Sequence, residues 1–110
     1  MLAGVEAVHT DMRVAGPQSK INDHRSTKVR DDEGWRETAS THPVIRTHPE
    51  TEKKCLFLNR VYVSHLKNMT IEESRPLLEY LYQHQSRPNF TCRFRWKKGA
   101  VAFWDNRCTI

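Results

Sequence analysis

Phe90-Thr91-Cys92-Arg93-Phe94-Arg95-Trp96-Lys97-Lys98-Gly99-Ala100-Val101-Ala102-Phe103-Trp104 is the stretch whose reading decides the architecture. Phe90, Cys92, Phe94 and Trp96 alternate with Thr91, Arg93, Arg95 and Lys97, the period of two that gives a strand one apolar and one wet face. This pattern predicts Phe94 and Trp96 inward and Arg93, Arg95 and Lys97 outward. Lys97-Lys98-Gly99 supplies a turn. Ala100 to Trp104 is almost entirely apolar, the composition of a strand covered on both sides.

Upstream, Ile71, Leu77, Leu78, Leu81 and Tyr82 mark an amphipathic helix. Thr70 and Glu73 fit a capping box, but Pro76 lies deep in a helix capped at Thr70, so the spacing favours a cap at Ser74 and a regular helix from about Ser74 to His84. Arg87-Pro88 closes it, because a residue before proline is biased away from helical angles. Val44, Ile45 and Thr47, bracketed by Pro43 and Pro49, form one β-prone run and Cys55 to Val63 a second, with Glu50 to Lys54 turning between them. Short strands with one interposed helix suit a mainly β fold with one helix (α+β), part of a double-stranded β-helix or jelly roll, better than an α/β winding.

The beginning of the chain is less regular. Leu2, Val5 and Val8 recur at helical spacing without an upstream cap, so Met1 to Val8 reads as the tail of a helix. Pro17 to Thr41 is polar, mixed in charge and without sustained period, which favours a mobile loop. The expected organisation is therefore a helix remnant and connector over 1–16, a polar loop over 17–41 and an incomplete jelly roll over 42–110.

With 110 residues, one domain at most is expected. The 37% hydrophobic content is low for a globular chain, so part of the length contributes little to a core. A net charge of +5 permits an anionic partner, but a modest excess spread along the chain more often serves solubility than nucleic-acid binding. No run of apolar residues is long enough to span a bilayer. Cys55, Cys92 and Cys108 are odd in number and widely separated, which argues against a disulfide framework or a zinc ribbon and for a reducing cytoplasm.

Three motifs carry a resemblance: His42-Pro43-Val44-Ile45-Arg46-Thr47-His48-Pro49, then Leu56-Phe57-Leu58-Asn59, then Trp104-Asp105-Asn106-Arg107-Cys108-Thr109. Together they resemble the taurine dioxygenase family. The resemblance implies an enzyme that uses Fe(II) and 2-oxoglutarate to hydroxylate a small acidic, taurine- or sulfonate-like substrate. It also implies that the second iron-binding histidine follows directly after Ile110, so the chain is expected to be an inactive fragment with no metal ligand and no catalytic residue of its own. The family usually has glycine where Glu52 stands. Tyr62 aligns with an aromatic residue that lines the substrate cavity, and is the one substrate-binding residue the resemblance implies.

His9-Thr10-Asp11 copies the His-x-Asp pair of an iron triad, and two such residues on a strand share a face. The resemblance argues against that role, because the family places far more chain between its His-x-Asp and its Trp-Asp-Asn-Arg; His9 fits a later family position, an Ala-x-His after a surface helix. His42 and His48 would lie nearly 20 Å apart on an ideal strand at about 3.3 Å per residue, too far to share a metal. Asp105 and Asn106 are expected to satisfy backbone groups in a turn, with Trp104 filling core volume; Arg107 could instead grip a carboxylate with its fork. The competing class is a small non-catalytic module whose basic strand, Arg93 to Lys98, meets an anionic partner such as nucleic acid. Half a jelly roll also leaves strand edges open, which predicts self-association.

Overall fold

A computed structural model describes residues 1–16, 19–24 and 37–110. Its elements in chain order are β1 (Glu6–Thr10), α1 (Met12–Ala15), a 3-10 turn (Lys20–His24), β2 (Ala39–Pro43), β3 (Ile45–Thr47), β4 (Lys54–Leu56), β5 (Val63–Leu66), α2 (Ile71–Gln85) and a second 3-10 turn (Pro88–Phe90). They make mixed small sheets around one main helix: a three-stranded antiparallel sheet in the order β2-β1-β5 and the hairpin β3-β4.

β1 is the centre of the larger sheet, which corrects the expectation of a helix tail at Met1 to Val8. Leu2, Val5 and Val8 have helical spacing, but Glu6 to Thr10 pairs on both sides, with β2 (Ala7 opposite His42) and β5 (Ala7 opposite Leu66). Two ladders override a weak local periodicity. The polar stretch expected to run as loop up to Thr41 also gives way earlier, since Ala39 already pairs with Thr10. Pro43 ends β2 on the sheet edge, where a missing N–H costs no ladder bond. Ile21 belongs to the first 3-10 turn, while Val29 and Trp35 lie outside the described residues.

Val44 joins the two sheets. Its N–H donates to Val5 O at 2.9 Å and its carbonyl accepts from Phe57 N–H at 2.8 Å, and its side chain is fully buried. The hairpin beyond it is as expected, with Ile45 opposite Leu56 and Thr47 opposite Lys54. Its turn puts Glu52 at φ +57, left-handed backbone that favours glycine. The second β-prone run does not stay one strand: β4 ends at Leu56, Asn59 accepts from Tyr62 and Val63 N–H, and β5 starts at Val63 with Ser64 unopposed in a bulge against β1.

α2 is capped at Thr70, a correction to the cap expected at Ser74. Thr70 Oγ1 accepts from Glu73 N–H at 3.2 Å while Glu73 Oε2 accepts from Thr70 N–H at 2.8 Å, so both halves of the capping box are made. Pro76 is accommodated inside the helix on its exposed side. Ser74, Leu78, Leu81 and Tyr82 turn inward at helical spacing. With Ala7, Val44, Leu58, Val63 and Leu66, the three hydrophobic residues of that face make the core.

The stretch from Phe90 to Trp104 carries the largest correction. The turn forms, with Ala100 N–H donating to Lys97 O at 2.9 Å and Gly99 at φ +83. The two strands do not: among the described residues nothing pairs with 91–104, and Phe94 (57%), Trp96 (68%) and Phe103 (94%) are exposed. Phe94 and Trp96 do share a side, their rings meeting edge-on at 4.9 Å. The two aromatic rings of the alternation thus meet, whereas burying them needs a second layer against them.

Candidate functional site

The Trp104–Thr109 turn is built from its own aspartate. Asp105 Oδ1 accepts from Arg107 N–H at 2.9 Å, and its Oδ2 accepts from Arg107 Nη2 at 2.7 Å, so one carboxylate closes the backbone and holds the side chain. Arg107 reaches on to Glu50 Oε1 at 3.2 Å in the β3-β4 turn. The guanidinium fork thus grips carboxylates of this same chain. These contacts, the Arg107 side chain first, then its N–H and then His48, hold the Asp105 carboxyl well below the usual carboxylate range. Asp105 raises Arg107 in turn. Trp104 does not fill core volume as expected: it is 65% exposed, and its indole N–H donates to Asn106 Oδ1 at 2.6 Å. Among the described residues no second layer lies over it to bury the ring.

His48 fastens this turn to the rest of the fold. It is buried, follows β3, and its Nε2 lies 3.1 Å from Asp105 Oδ2. Its Nδ1 accepts from Glu50 N–H at 3.3 Å and Thr51 N–H at 3.2 Å. With Nδ1 accepting, the proton belongs on Nε2, which donates to Asp105.

His48, Asp105 and Cys108 also place one donor atom each within 4.8 Å of one another, a spacing compatible with a metal. The hydrogen bonds argue otherwise. A metal-bound imidazole donates its second ring N–H to an acceptor, and here that nitrogen receives two backbone donors. Asp105 is already engaged by Arg107. The cluster is a hydrogen-bonded clasp.

His9 and Asp11 do not sit on one strand face. β1 stops at Thr10 and Asp11 takes helical backbone angles (φ −88, ψ −3), which removes the shared strand face. Asp11 Oδ1 accepts from Thr38 N–H at 2.9 Å. His9 stacks on Phe57 at 5.4 Å and meets His42 edge-on at 5.0 Å, while its Nε2 is buried without a hydrogen-bond partner among the described residues. Burial, and then His42, lower the His9 pKa. Among the described residues no third donor joins this pair, so the donor set present does not fit a two-histidine, one-carboxylate iron centre. His42 bonds Ser40 and His48 bonds Asp105, so the two histidines serve different neighbours.

Tyr62 lies in the turn before β5, its backbone carbonyl accepting from Thr10 N–H at 2.8 Å and its side chain 42% exposed. Arg93, Arg95, Lys97 and Lys98 are all exposed beside the equally exposed Phe94 and Trp96. The His48–Asp105 bond escaped sequence reasoning because 57 positions separate its partners; that both fall inside the quoted motifs was the available signal.

The family model of the taurine catabolism dioxygenase TauD, TfdA family matches residues 1–110. This chain belongs to that family. It is 35% identical over 109 residues to the alpha-ketoglutarate-dependent dioxygenase cnsM of Penicillium expansum, covering 98% of this chain and 29% of that protein. It is 40% identical over 68 residues to an alpha-ketoglutarate-dependent 2,4-dichlorophenoxyacetate dioxygenase of Burkholderia sp. (strain RASC), covering 62% of this chain and 23% of that protein. Among solved structures, a taurine dioxygenase from Burkholderia xenovorans superposes with a TM-score of 0.67 at 35% identity, over 96% of this chain and 31% of that one. AAD-2 in complex with Mn(II) and N-oxalylglycine matches with a TM-score of 0.64 at 25% identity, over 87% of this chain and 35% of that one. The chain spans about a third of the length of such relatives. Enzymes of the family use Fe(II) and 2-oxoglutarate. No helix among the described residues is long and apolar enough to cross a membrane.

Proposed function

We propose that this chain supplies one part, residues 42–110 above all, of the jelly roll of an Fe(II)/2-oxoglutarate-dependent dioxygenase whose complete molecule hydroxylates a small acidic, taurine- or sulfonate-like substrate in the cytoplasm. The observation that carries the reading is the turn of Trp104-Asp105-Asn106-Arg107, held by its own aspartate and clasped by His48 from the other quoted motif. Relatives named for sulfonate and 2,4-dichlorophenoxyacetate substrates support the acidic substrate class. Iron and 2-oxoglutarate supply the oxidising chemistry in such an enzyme. His9 and Asp11 are not its ligands in this reading, and the 110 residues alone neither bind the metal nor turn over. Their own contribution is to order the turn through His48, Asp105 and Arg107 and to offer Tyr62 as a wall of the substrate cavity.

The test is succinate release from 2-oxoglutarate by the purified chain with Fe(II), oxygen and candidate sulfonates. The reading expects none above a no-protein control. Iron-dependent succinate formation contradicts it.

A second reading has one observation in its favour: Phe94 and Trp96 are exposed in the same segment as Arg93, Arg95 and Lys97, the side-chain mixture of a single-strand nucleic-acid groove. Retardation of an oligonucleotide that weakens steeply as salt rises supports this module; no retardation at low salt removes it.

A further inference from the structure

The fold gathers all three cysteines around one open cleft of about 810 Å³, which Cys55, Cys92 and Cys108 line together with Leu56, Phe90 and Ile110. Cys55 and Cys108 are the closer pair. Cys55 projects from β4, and its thiol lies 3.5 Å from Arg107 O, the carbonyl directly joined to Cys108. With standard bond lengths a carbonyl oxygen sits about 2.8 Å from the next Cα. The Cys55 sulfur is therefore within roughly 6.3 Å of Cys108 Cα. A disulfide has Cβ atoms about 3.8 Å apart. An exposed turn can close such a gap by a small shift, and residues 106–110 are exposed. Cys92, by contrast, has no contact with either thiol among the hydrogen bonds and ring contacts described.

We propose that Cys55 and Cys108 form a reversible intramolecular disulfide by exchange with a low-molecular-weight disulfide such as oxidised glutathione, and that Cys92 takes no part. The two thiols differ in a way that orders the steps. Cys108 is exposed and Cys55 half-buried. Burial, with Cys108 nearby, pushes the Cys55 thiol up, and the exposed Cys108 is the one a small disulfide reaches first.

Cys108 attacks one sulfur of the small disulfide, a Cys108–glutathione bond forms, and one glutathione thiolate leaves. Cys55 gives its proton to solvent and attacks Cys108 Sγ. The mixed disulfide then breaks and the second glutathione leaves. Two protein thiols lose two electrons and two protons, and one small disulfide becomes two thiols. The bond would fasten the Trp104–Thr109 turn to β4 beside the hydrogen-bonded clasp of His48, independently of whether the dioxygenase reading holds.

The experiment is anaerobic incubation of the 110-residue chain with oxidised glutathione, followed by intact-mass measurement and a non-reducing peptide map. The expected product is a monomer lighter by two hydrogens with Cys55 linked to Cys108, formed equally by Cys92→Ser and restored to the starting mass by reductant. Cys55→Ser is expected to stop at a glutathione adduct on Cys108. A linked Cys92, a disulfide-bonded dimer as the main product, or glutathione adducts without a cross-link in the unsubstituted chain would overturn the proposal. The chain unfolded in urea serves as the comparison: pairing as unselective in buffer as in urea also contradicts it.

Discussion

Ser74→Ala tests whether α2 is locked to the larger sheet by one buried hydroxyl. Ser74 is fully buried; its Oγ accepts from Leu66 N–H at 2.9 Å and donates to Thr70 O at 2.8 Å. Removing it leaves Thr70 O with a partner, since Ser74 N–H still donates there at 3.0 Å. Leu66 N–H has no such substitute, and an orphaned buried donor costs roughly 1–3 kcal/mol. The greater helix propensity of alanine returns about 0.5 kcal/mol. The net expected loss is therefore about 0.5–2.5 kcal/mol, against a total of about 5–15 kcal/mol for an ordinary domain. Urea unfolding should show a midpoint lowered by roughly 1 M with an unchanged slope, and the Leu66 amide should exchange faster than its neighbours in β5. A loss below about 0.5 kcal/mol, or one that leaves Leu66 exchange unaltered, refutes the argument that this hydroxyl is the lock.

Two further outcomes follow from the same contacts. Glu52 sits at φ +57, where a side chain is strained, so Glu52→Gly should raise stability by up to about 1 kcal/mol in thermal or urea unfolding, less whatever the freer unfolded chain takes back; a loss would show that the Glu52 side chain contributes more than its backbone costs. Because the folded pKa of Asp105 is depressed below its unfolded value, its contribution to stability is complete above the usual carboxylate range and is lost progressively as pH falls from there to the lower folded value, whereas the folded protein itself titrates only at that lower value. The indole N–H resonance of Trp104 should accordingly keep its position through pH 4, where ordinary carboxyls titrate, and shift only well below it; a shift centred near pH 4 contradicts the Asp105–Arg107 pairing.

What the sequence disclosed and what it hid separate along physical lines. The β3-β4 hairpin was legible because Pro43 and Pro49 bracket a β-prone run and the turn is local. The Asp105 turn was legible because an aspartate bonds the backbone two residues on. β1 was hidden, since its partners lie at Ala39–Pro43 and Val63–Leu66, far along the chain, and β2 is too polar to announce itself as a strand. The start of α2 was misplaced because Pro76 was weighed above the Thr70–Glu73 box; a proline on the exposed side of a well-capped helix is tolerated at that depth. From Phe90 to Trp104 the alternation put Phe94 and Trp96 side by side but misjudged them as inward, because periodicity carries no information about which layer covers a face. At the site, the quoted motifs were visible one by one, while the His48–Asp105 bond that joins two of them depends on the packing of distant segments.

The most direct measurement is an anaerobic calorimetric titration of Mn(II), standing in for Fe(II), with 2-oxoglutarate into the 110-residue chain and into His9→Ala. No saturable binding is expected for either, because His9 is walled in by Phe57 and His42 while Asp11 is committed to Thr38. Stoichiometric binding by the unsubstituted chain that disappears in His9→Ala would place the metal on β1 and contradict the reading of this chain as structural support for a centre it does not itself form.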